Sequence, residues 1–284
     1  MFNRNVAAFG GEVQRVVQDL RIAVVGCGGT GSAVAEQLVR LGSRHVLLID
    51  PDNIEASNIT RVYGSRESDV GRPKVDALAD HLRQIAPDVE ISTLDTAITS
   101  EWTAKQLAGS DVVFGCTDDN AGRLVLSRLA TFMLIPVIDV GVILSSGVEG
   151  RLQGIDGRVT LLYPGSACLV CRGRIDIARA ASEMLTPGER RRRVDEGYAP
   201  ALAGIEPAVV SYTTLVAAYA VGELLERLIA YGPEPPPSEL IIRIHDREVS
   251  VNRQLPRSRH YCDPLSGKIG LGVTEPFLEQ VWTS

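Results

Sequence analysis

The chain has 284 residues, of which 45% are hydrophobic and 23% charged, the composition of an ordinary globular protein with a sizeable core. Its formal net charge of −6 and pI near 5.4 argue against a general nucleic-acid binder and against a protein that binds anionic membranes. Met1–Leu20 lacks the apolar run of a secretion signal, and five cysteines without such a signal do not suggest a disulfide framework. The expected compartment is the cytoplasm.

The stretch Arg21–Asp50 has the pattern of a strand, a glycine turn, a helix and a second strand. Strands are predicted at Ile22–Val25 and His45–Ile49, with helical spacing at Ser32–Leu41 between them. Four glycines follow the first strand: Gly26, Gly28, Gly29 and Gly31. Glycines let the backbone approach a phosphate, a helix N-terminus offers N–H groups, and Asp50 can hold ribose hydroxyls. The pattern favours nucleotide binding over a ligand-free turn, but the same turn serves NAD, FAD and ATP.

Strands and helices alternate up to Val140, as in a Rossmann-like half-domain. Helices are predicted near Val13–Leu20 and at Val75–Ile85, Ser100–Leu107 and Ala121–Phe132, and strands at Val89–Leu94, Asp111–Gly115 and Pro136–Val140. Antiparallel strands are predicted later, at Ser146–Gly150, Gly157–Leu162, Leu240–Ile244 and Glu248–Asn252. The apolar segment Pro207–Tyr231 contains charged residues, which favours a buried helix over a membrane span. We expect an α/β fold with a mostly parallel sheet continued by antiparallel strands, and helices on both faces.

Charged residues after the glycine turn narrow the choice of nucleotide. Arg61 and Lys74 follow the second strand, and Asp118 follows the fourth, at the end of a doubly wound sheet where ligands bind. Two cations can offset the charge of a triphosphate while an acid holds Mg²⁺. Because an ionised carboxylate attacks without a catalytic base, this set favours adenylation of a carboxylate. An NAD-dependent oxidoreductase and a catalytically silent dimeric scaffold are the alternatives.

Five motifs in this order resemble the ThiF/MoeB-type activating enzymes, bacterial relatives of the ubiquitin-activating enzymes. The motifs are GCGGTG (Gly26–Gly31), Asp50 with Asp52, SNITR (Ser57–Arg61), VGRPK (Val70–Lys74) and CTDDN (Cys116–Asn120). The resemblance implies that the glycines, Asp50 and Asp52 bind ATP, with Asp50 on the ribose. It also implies that Asn58, Arg61 and Lys74 contact the triphosphate and that Asp118 positions Mg²⁺. One ThiF-type adenylation domain, 1–284, would comprise a nucleotide-binding half, 1–140, and a half for the acceptor tail and zinc, 141–284.

The resemblance also predicts partners. In relatives an arginine near the N-terminus reaches into the partner subunit's ATP site; Arg4 is the corresponding candidate, and a homodimer follows. Family substrates are the Gly-Gly tails of β-grasp proteins, either sulfur carriers or ubiquitin-like modifiers, and the tail would lie along the second-half sheet. A conjugating-type enzyme or a sulfur donor would be a further partner. Activation of a peptide or of a tRNA-modification carboxylate stays open.

The spacing of the cysteines predicts a second site, which would bind a metal ion. Cys168 and Cys171 have zinc-knuckle spacing, but where relatives carry a second CxxC this chain offers only His260 and Cys262. We predict a Cys₃His zinc site; the alternative is reduced core thiols beside a surface histidine, and His245 is a weaker candidate ligand.

Two further stretches bear on the reaction. Thioester-forming relatives place a cysteine before the long apolar helix, but Gly197–Val210 has none. Unless a zinc-type cysteine doubles as the nucleophile, the reaction should therefore stop at the acyl-adenylate. Cys27 and Cys116 are expected to be structural. The run Arg190–Arg193 is more typical of a solvated surface than of a docking site for an acidic partner.

Overall fold

A computed structural model describes residues 2–146, 152–185, 189 and 208–282. The strands are β1 (Arg21–Val25), β2 (His45–Ile49), β3 (Glu90–Leu94), β4 (Val112–Gly115), β5 (Val137–Ser146), β6 (Leu152–Leu162), β7 (Glu239–Arg243) and β8 (Glu248–Asn252). These strands form one sheet in the order β3-β2-β1-β4-β5-β6-β7-β8. The first five in this order are parallel, and β6, β7 and β8 are each antiparallel to their neighbour. This mixed sheet confirms the predicted fold class.

Helices cover both faces of the sheet. They are α1 (Asn3–Asp19), α2 (Gly29–Leu41), α3 (Lys74–Ile85), α4 (Glu101–Gln106), α5 (Asn120–Phe132), α6 (Ile177–Glu183) and α7 (Val210–Ile229). Alternate residues of β1 point to opposite faces, so Ile22 joins the core beneath α2, α3 and α7, whereas Ala23 joins the core beneath α4 and α5. Burial on both faces explains the uninterrupted apolar run of β1.

Several predicted boundaries shift in the structure. Helix α1 begins at Asn3 and is kinked at Gly10, where φ is 85°, ahead of the apolar spacing that predicted it. Helix α2 begins at Gly29, so the glycine motif itself forms its first turn. Strand β5 continues to Ser146, because β6 pairs with it along its whole length. Most of the predicted strand Ser146–Gly150, and the run Arg190–Arg193, lie outside the described residues.

Helix α7 confirms the buried helix predicted in the second half. Its apolar positions pack on α2, while Glu223 and Arg227 form an ion pair of 3.3 Å one turn apart. Across the described ranges, the helices lack the combination of length and apolarity that a membrane crossing requires.

Candidate nucleotide site and metal group

A cavity of about 400 Å³ opens at the carboxyl ends of β1, β2 and β4. Because the carboxyl ends of parallel strands share one edge of the sheet, residues that follow different strands meet there. Six of the residues predicted to bind nucleotide or metal line this cavity: Gly26, Gly28, Asp50, Asp52, Lys74 and Asp118. Positions far apart in sequence are therefore brought into one site.

The glycine turn forms one wall of the cavity. Gly26 has φ of 90°, and a Cβ placed there would lie 2.7 Å from the backbone carbonyl of Cys116. A Cβ on Gly31 would overlap the carbonyl oxygen of Gly26. Gly28, by contrast, has nothing within 4 Å of a Cβ, so its missing side chain leaves open cavity. Gly26 and Gly31 thus build the turn, and Gly28 leaves room for a ligand.

Asp50 ties the turn to the end of β2. Its Oδ2 accepts a hydrogen bond of 2.6 Å from the N–H of Cys27, and its Oδ1 accepts one of 2.9 Å from the N–H of Asp52. Burial raises the pKa of Asp50, and the charge of Lys74 and these two hydrogen bonds oppose the rise. Asp50 therefore shapes the cavity as well as lining it.

Lys74 places a positive charge in the same cavity. Its Nζ lies 2.7 Å from Oδ2 of Asp52 and 3.9 Å from Oδ1 of Asp50. The backbone carbonyl of Asp52 accepts a hydrogen bond from the N–H of Lys74, which fixes the start of α3 beside β2. The ammonium is therefore held at the cavity wall, where it can meet an anionic ligand.

Asp118 and Asp119 follow β4. The carboxylate of Asp119 caps α5 by accepting from the N–H of Gly122, and it also accepts from the hydroxyl of Thr117. Asp118 is exposed, lines the cavity, and bonds to no other residue that the structure describes. Because the Asp118 carboxylate lines the cavity and has no partner among the described residues, it is available to a divalent cation.

Arg61 and Asn58 lie beside the cavity rather than in its wall. A Cβ placed on Gly29 would lie 3.4 Å from Cγ of Arg61, so the arginine stem packs over the glycine turn. Its Nη1 donates a hydrogen bond of 2.9 Å to the carbonyl of Ser57. Asn58 is buried, and its Oδ1 accepts from the N–H of Glu55 at 3.2 Å. Neither side chain lines the cavity: Arg61 packs over the glycine turn, and the Asn58 amide is engaged in its own loop.

Arg4 lies far from the cavity of its own chain. It is exposed on α1, next to Asn5, whose Nδ2 donates to the carbonyl of Leu41 at 3.4 Å. Leu41 ends α2, and Gly29 begins it. A helix of 13 residues is roughly 20 Å long, so Arg4 sits at the opposite end of α2 from the glycine turn. Any contact of Arg4 with nucleotide would be with that of another chain.

Four side chains that could hold a metal ion lie close together, and none of them lines the cavity. Ligand atoms of Cys168, Cys171, His260 and Cys262 all lie within 4.8 Å of one another. Nδ1 of His260 is 3.4 Å from the sulfur of Cys168 and 3.4 Å from that of Cys262. A tetrahedral zinc ion with bonds of about 2.0–2.3 Å separates such ligands by roughly 3.5–3.8 Å. The donor set and spacing therefore fit a Cys₃His zinc site.

The thiols of this group differ in pKa: burial raises the pKa of Cys171, and a hydrogen bond with Cys168 raises that of Cys262. A hydrogen bond from Cys262, with smaller contributions from neighbouring groups, lowers the pKa of Cys168 to about 5, although burial opposes the shift. The thiolate is the form that ligates zinc. His245 does not join the group: it lies in the turn between β7 and β8, and its Nδ1 is 3.1 Å from the backbone nitrogen of Ile155.

Comparison with known proteins settles the family. The model of the ThiF family matches residues 2–262. The chain belongs to the ThiF family.

The chain is similar to named activating enzymes and adenylyltransferases. It is 30% identical over 162 residues to the SAMP-activating enzyme E1 of Haloferax volcanii, a match covering 57% of this chain and 56% of that enzyme. It is 28% identical over 178 residues to the molybdopterin-synthase adenylyltransferase of Escherichia coli, covering 61% of this chain and 68% of that enzyme. The chain therefore spans only a little over half the length of the H. volcanii relative.

Solved structures share the fold of this chain. The crystal structure of E. coli MccB with MccA-N7isoASN superposes with a TM-score of 0.70 at 17% identity, covering 90% of this chain and 73% of that one. At this identity the likeness concerns the fold alone.

One residue that the sequence did not single out also lines the cavity. Glu183, on α6, accepts a hydrogen bond of 2.9 Å from the N–H of Ala121 at the start of α5. Its spacing from Arg179 indicates only a helical ion pair, which is present at 2.9 Å. Its place in the cavity depends on packing of α6 against α5, for which the sequence carries no local signal.

Proposed function

We propose that this ThiF protein is an ATP- and Mg²⁺-dependent adenylyltransferase acting on the C-terminal glycine carboxylate of a ubiquitin-like or sulfur-carrier β-grasp protein. The observation that carries the proposal is one cavity containing the glycine turn, the Lys74 ammonium and the Asp118 carboxylate. ATP use is expected of the ThiF family, and the names of the H. volcanii and E. coli relatives support the substrate class. Hydride transfer to NAD has no need of this cation and acid.

Each site residue has a role in this proposal. The glycines at 26, 28, 29 and 31 cradle the phosphates, and Asp50 and Asp52 lie on the ribose side. Lys74, Arg61 and Asn58 contact the triphosphate, and Arg4 reaches it from the second chain of a homodimer. Asp118 would hold Mg²⁺, which supplies neutralising charge to the phosphates.

The reaction needs positioned charge rather than a proton acceptor. A carboxylate oxygen of the acceptor attacks the α-phosphorus, the bond from that phosphorus to the oxygen bridging the α and β phosphates breaks, and pyrophosphate leaves. Because the attacking carboxylate is already ionised at neutral pH, no proton is transferred. The protein's contribution is to align the two substrates and to stabilise the charge that develops on pyrophosphate.

We propose that the reaction stops at the acyl-adenylate in this chain. Three of its five cysteines lie in the metal-binding group. Burial raises the pKa of the other two thiols, Cys27 and Cys116, which makes each a poor nucleophile. The acyl group would then pass directly to a thiol or sulfur acceptor on another protein, such as a conjugating-type enzyme or a sulfur donor.

The second half completes the proposed domain, 1–284. The Cys₃His group would bind a structural zinc ion, and the antiparallel strands β6 to β8 would carry the acceptor tail. The consumption of ATP agrees with the cytoplasm as the expected compartment.

The test is ATP–pyrophosphate exchange with purified Gly-terminated β-grasp proteins from the same genome. We expect exchange with at least one of them, lost in Arg61→Ala and in Asp118→Asn while thermal unfolding stays unchanged. Exchange that persists in both variants would overturn the site assignment. Saturable binding of NAD but not of ATP would replace the proposal with an oxidoreductase.

A further inference from the structure

A second cavity, of about 250 Å³, lies on the face of β5, β6 and β7 that continues from α5. We call it the arginine hollow, because four guanidinium groups line it against a single carboxylate, that of Asp156. The four arginines are Arg123, Arg158, Arg174 and Arg243. Beyond the cavity wall, the carboxylates of Asp139, Glu239 and Glu248 offset part of this positive charge.

The buried carboxylate of Asp139 holds two of these arginines, Arg123 and Arg158. Asp139, fully buried on β5, accepts a hydrogen bond of 2.6 Å from Nη2 of Arg158 and lies 3.7 Å from Nε of Arg123. A Cβ placed on Gly141 would lie 3.3 Å from Nη2 of Arg158 and 3.5 Å from Nη2 of Arg123. Both guanidinium groups therefore converge over Gly141.

These arginines keep hydrogen-bonding capacity to spare. The Nε groups of Arg123 and Arg158 are buried without a hydrogen-bond partner among the described residues. Arg158 is itself only 9% exposed, and its guanidinium makes one hydrogen bond, to Asp139, within the described part of the chain. Those Nε groups face the carboxylates of Asp139 and Glu239, at 3.7 and 4.0 Å, so the donors left for an acceptor in the hollow are the Nη groups, which lie over Gly141.

The other two arginines are anchored at the rim. Arg174 donates to the buried carboxylate of Glu239 at 3.3 Å, and Arg243 to Glu248 at 3.2 Å. Ile143 and Ile241 lie between the charged groups and supply apolar surface. This combination of guanidinium forks and apolar walls suits a carboxylate on a short aliphatic stem.

The hollow is close to the nucleotide cavity. Asp139 on β5 is paired in register with Gly115 on β4, and the next residue, Cys116, lines the nucleotide cavity. Neighbouring strands are about 4.8 Å apart, so the centre of the hollow is roughly 10–15 Å from that cavity. An extended chain covers this distance in about three to five residues.

We propose that the arginine hollow binds an acidic side chain that lies three to five residues before the C-terminal glycine of the acceptor protein. This inference rests on the proposed function, because it assumes that a carboxyl-terminal tail enters the nucleotide cavity. The small volume admits one or two side chains rather than a folded surface. The hollow would thus select among Gly-terminated proteins by the charge of their tails.

The experiment uses synthetic ten-residue peptides ending in Gly-Gly. The peptides come in pairs. One member of each pair has a glutamate three, four or five residues before the last glycine, and the other has a glutamine at the same position. We expect the glutamate peptide at one of these places to support ATP–pyrophosphate exchange with at least tenfold higher kcat/KM than its glutamine counterpart. Arg243→Glu should remove the preference, and a lysine peptide should restore exchange in that variant. Arg253→Gln, an exposed arginine just beyond β8, is the matched control and should keep the preference.

Binding of the same peptides to the protein, measured by fluorescence anisotropy, distinguishes the arginine hollow as a specificity site from the proposed adenylation. Equal exchange with glutamate and glutamine peptides would overturn the arginine hollow as a specificity site and leave the proposed function intact. Binding that prefers glutamate and is reversed in Arg243→Glu, without exchange, would support the hollow and overturn the adenylation proposal. Absence of both exchange and charge preference would overturn both.

Discussion

The carboxylates of Asp118 and Asp119 are adjacent in sequence, yet only one of them is used by the fold. Asp119 caps α5 through the N–H of Gly122, whereas Asp118 lines the nucleotide cavity and bonds to no other described residue. Substitution of these neighbours should therefore separate stability from activity.

Asp118→Asn should abolish ATP–pyrophosphate exchange and leave the unfolding temperature unchanged. The lost charge is one that would hold Mg²⁺, and removal of such a group costs about 3–4 kcal/mol of transition-state stabilisation. Asp119→Ala is the matched variant: loss of the cap should lower the free energy of unfolding by about 1 kcal/mol and lower the exchange rate less than Asp118→Asn does. Exchange and urea unfolding of both variants check this, and the reverse pattern would contradict it.

Gly26→Ala should lower the stability of the protein, whereas Gly28→Ala should lower its affinity for ATP. An alanine at 26 would collide with the backbone of Cys116 and must adopt a positive φ, so Gly26→Ala should unfold at markedly lower temperature. An alanine at 28 has open space around its Cβ, so stability should persist while ATP affinity falls at least tenfold. Thermal unfolding with and without ATP distinguishes the two. Equal ATP affinity in Gly28→Ala and wild type would show that phosphates do not approach this wall.

The metal group predicts one zinc ion per chain. His260→Ala and Cys168→Ser should each reduce bound zinc, measured by mass spectrometry of the metal, and lower the unfolding temperature, because the ligands come from segments about ninety residues apart. Cys116→Ser should retain the metal, since that thiol lies in the nucleotide cavity. A wild-type chain purified without chelator and free of zinc would contradict the assignment.

Glu239 should make a pH-dependent contribution to stability. Burial opposes ionisation of this carboxylate, but hydrogen bonds from Arg174 and Asn252 outweigh it and lower its pKa below 4.5. A lowered folded-state pKa means that the contribution is fully present above pH 4.5 and is lost as pH falls through the folded value.

Glu239→Gln should therefore lower the free energy of unfolding by about 3 kcal/mol at pH 7, since it leaves buried arginines without their counter-charge. The difference from wild type should narrow as the pH falls below 4.5, measured by urea unfolding. Glu248→Gln, whose ion pair with Arg243 is exposed, should change the free energy of unfolding by less than about 1 kcal/mol at any pH. A constant difference across this range would contradict the lowered pKa of Glu239.

The sequence predicts the fold around β1, α2 and β2 well, because its signals there are local. Periodicity marks β1, α2 and β2, and the parallel topology then requires Asp50 and Asp118 to share one edge of the sheet. Glu183 could not be predicted in the same way, because it meets Ala121 across 62 residues through helix packing.

The sequence did not predict the arginine hollow either. Arg123 and Arg158 come from different elements and converge because β5 and β6 pair in a particular register. A single-residue shift would place Arg158 on the opposite face. Similarly, the His-x-Cys spacing does not show that His260 lies beside Cys168; the fold brings the two side chains together.

Strand β4 has four residues and β5 has ten, and the two pair only from Val113 to Gly115. The rest of β5 projects beyond the nucleotide edge by roughly 24 Å, supported by β6 rather than by β4. The projecting part contains Gly141 but none of the residues that line the nucleotide cavity. Substitutions in this projecting part of β5 can therefore change the preference for an acceptor without changing the residues that line the nucleotide cavity.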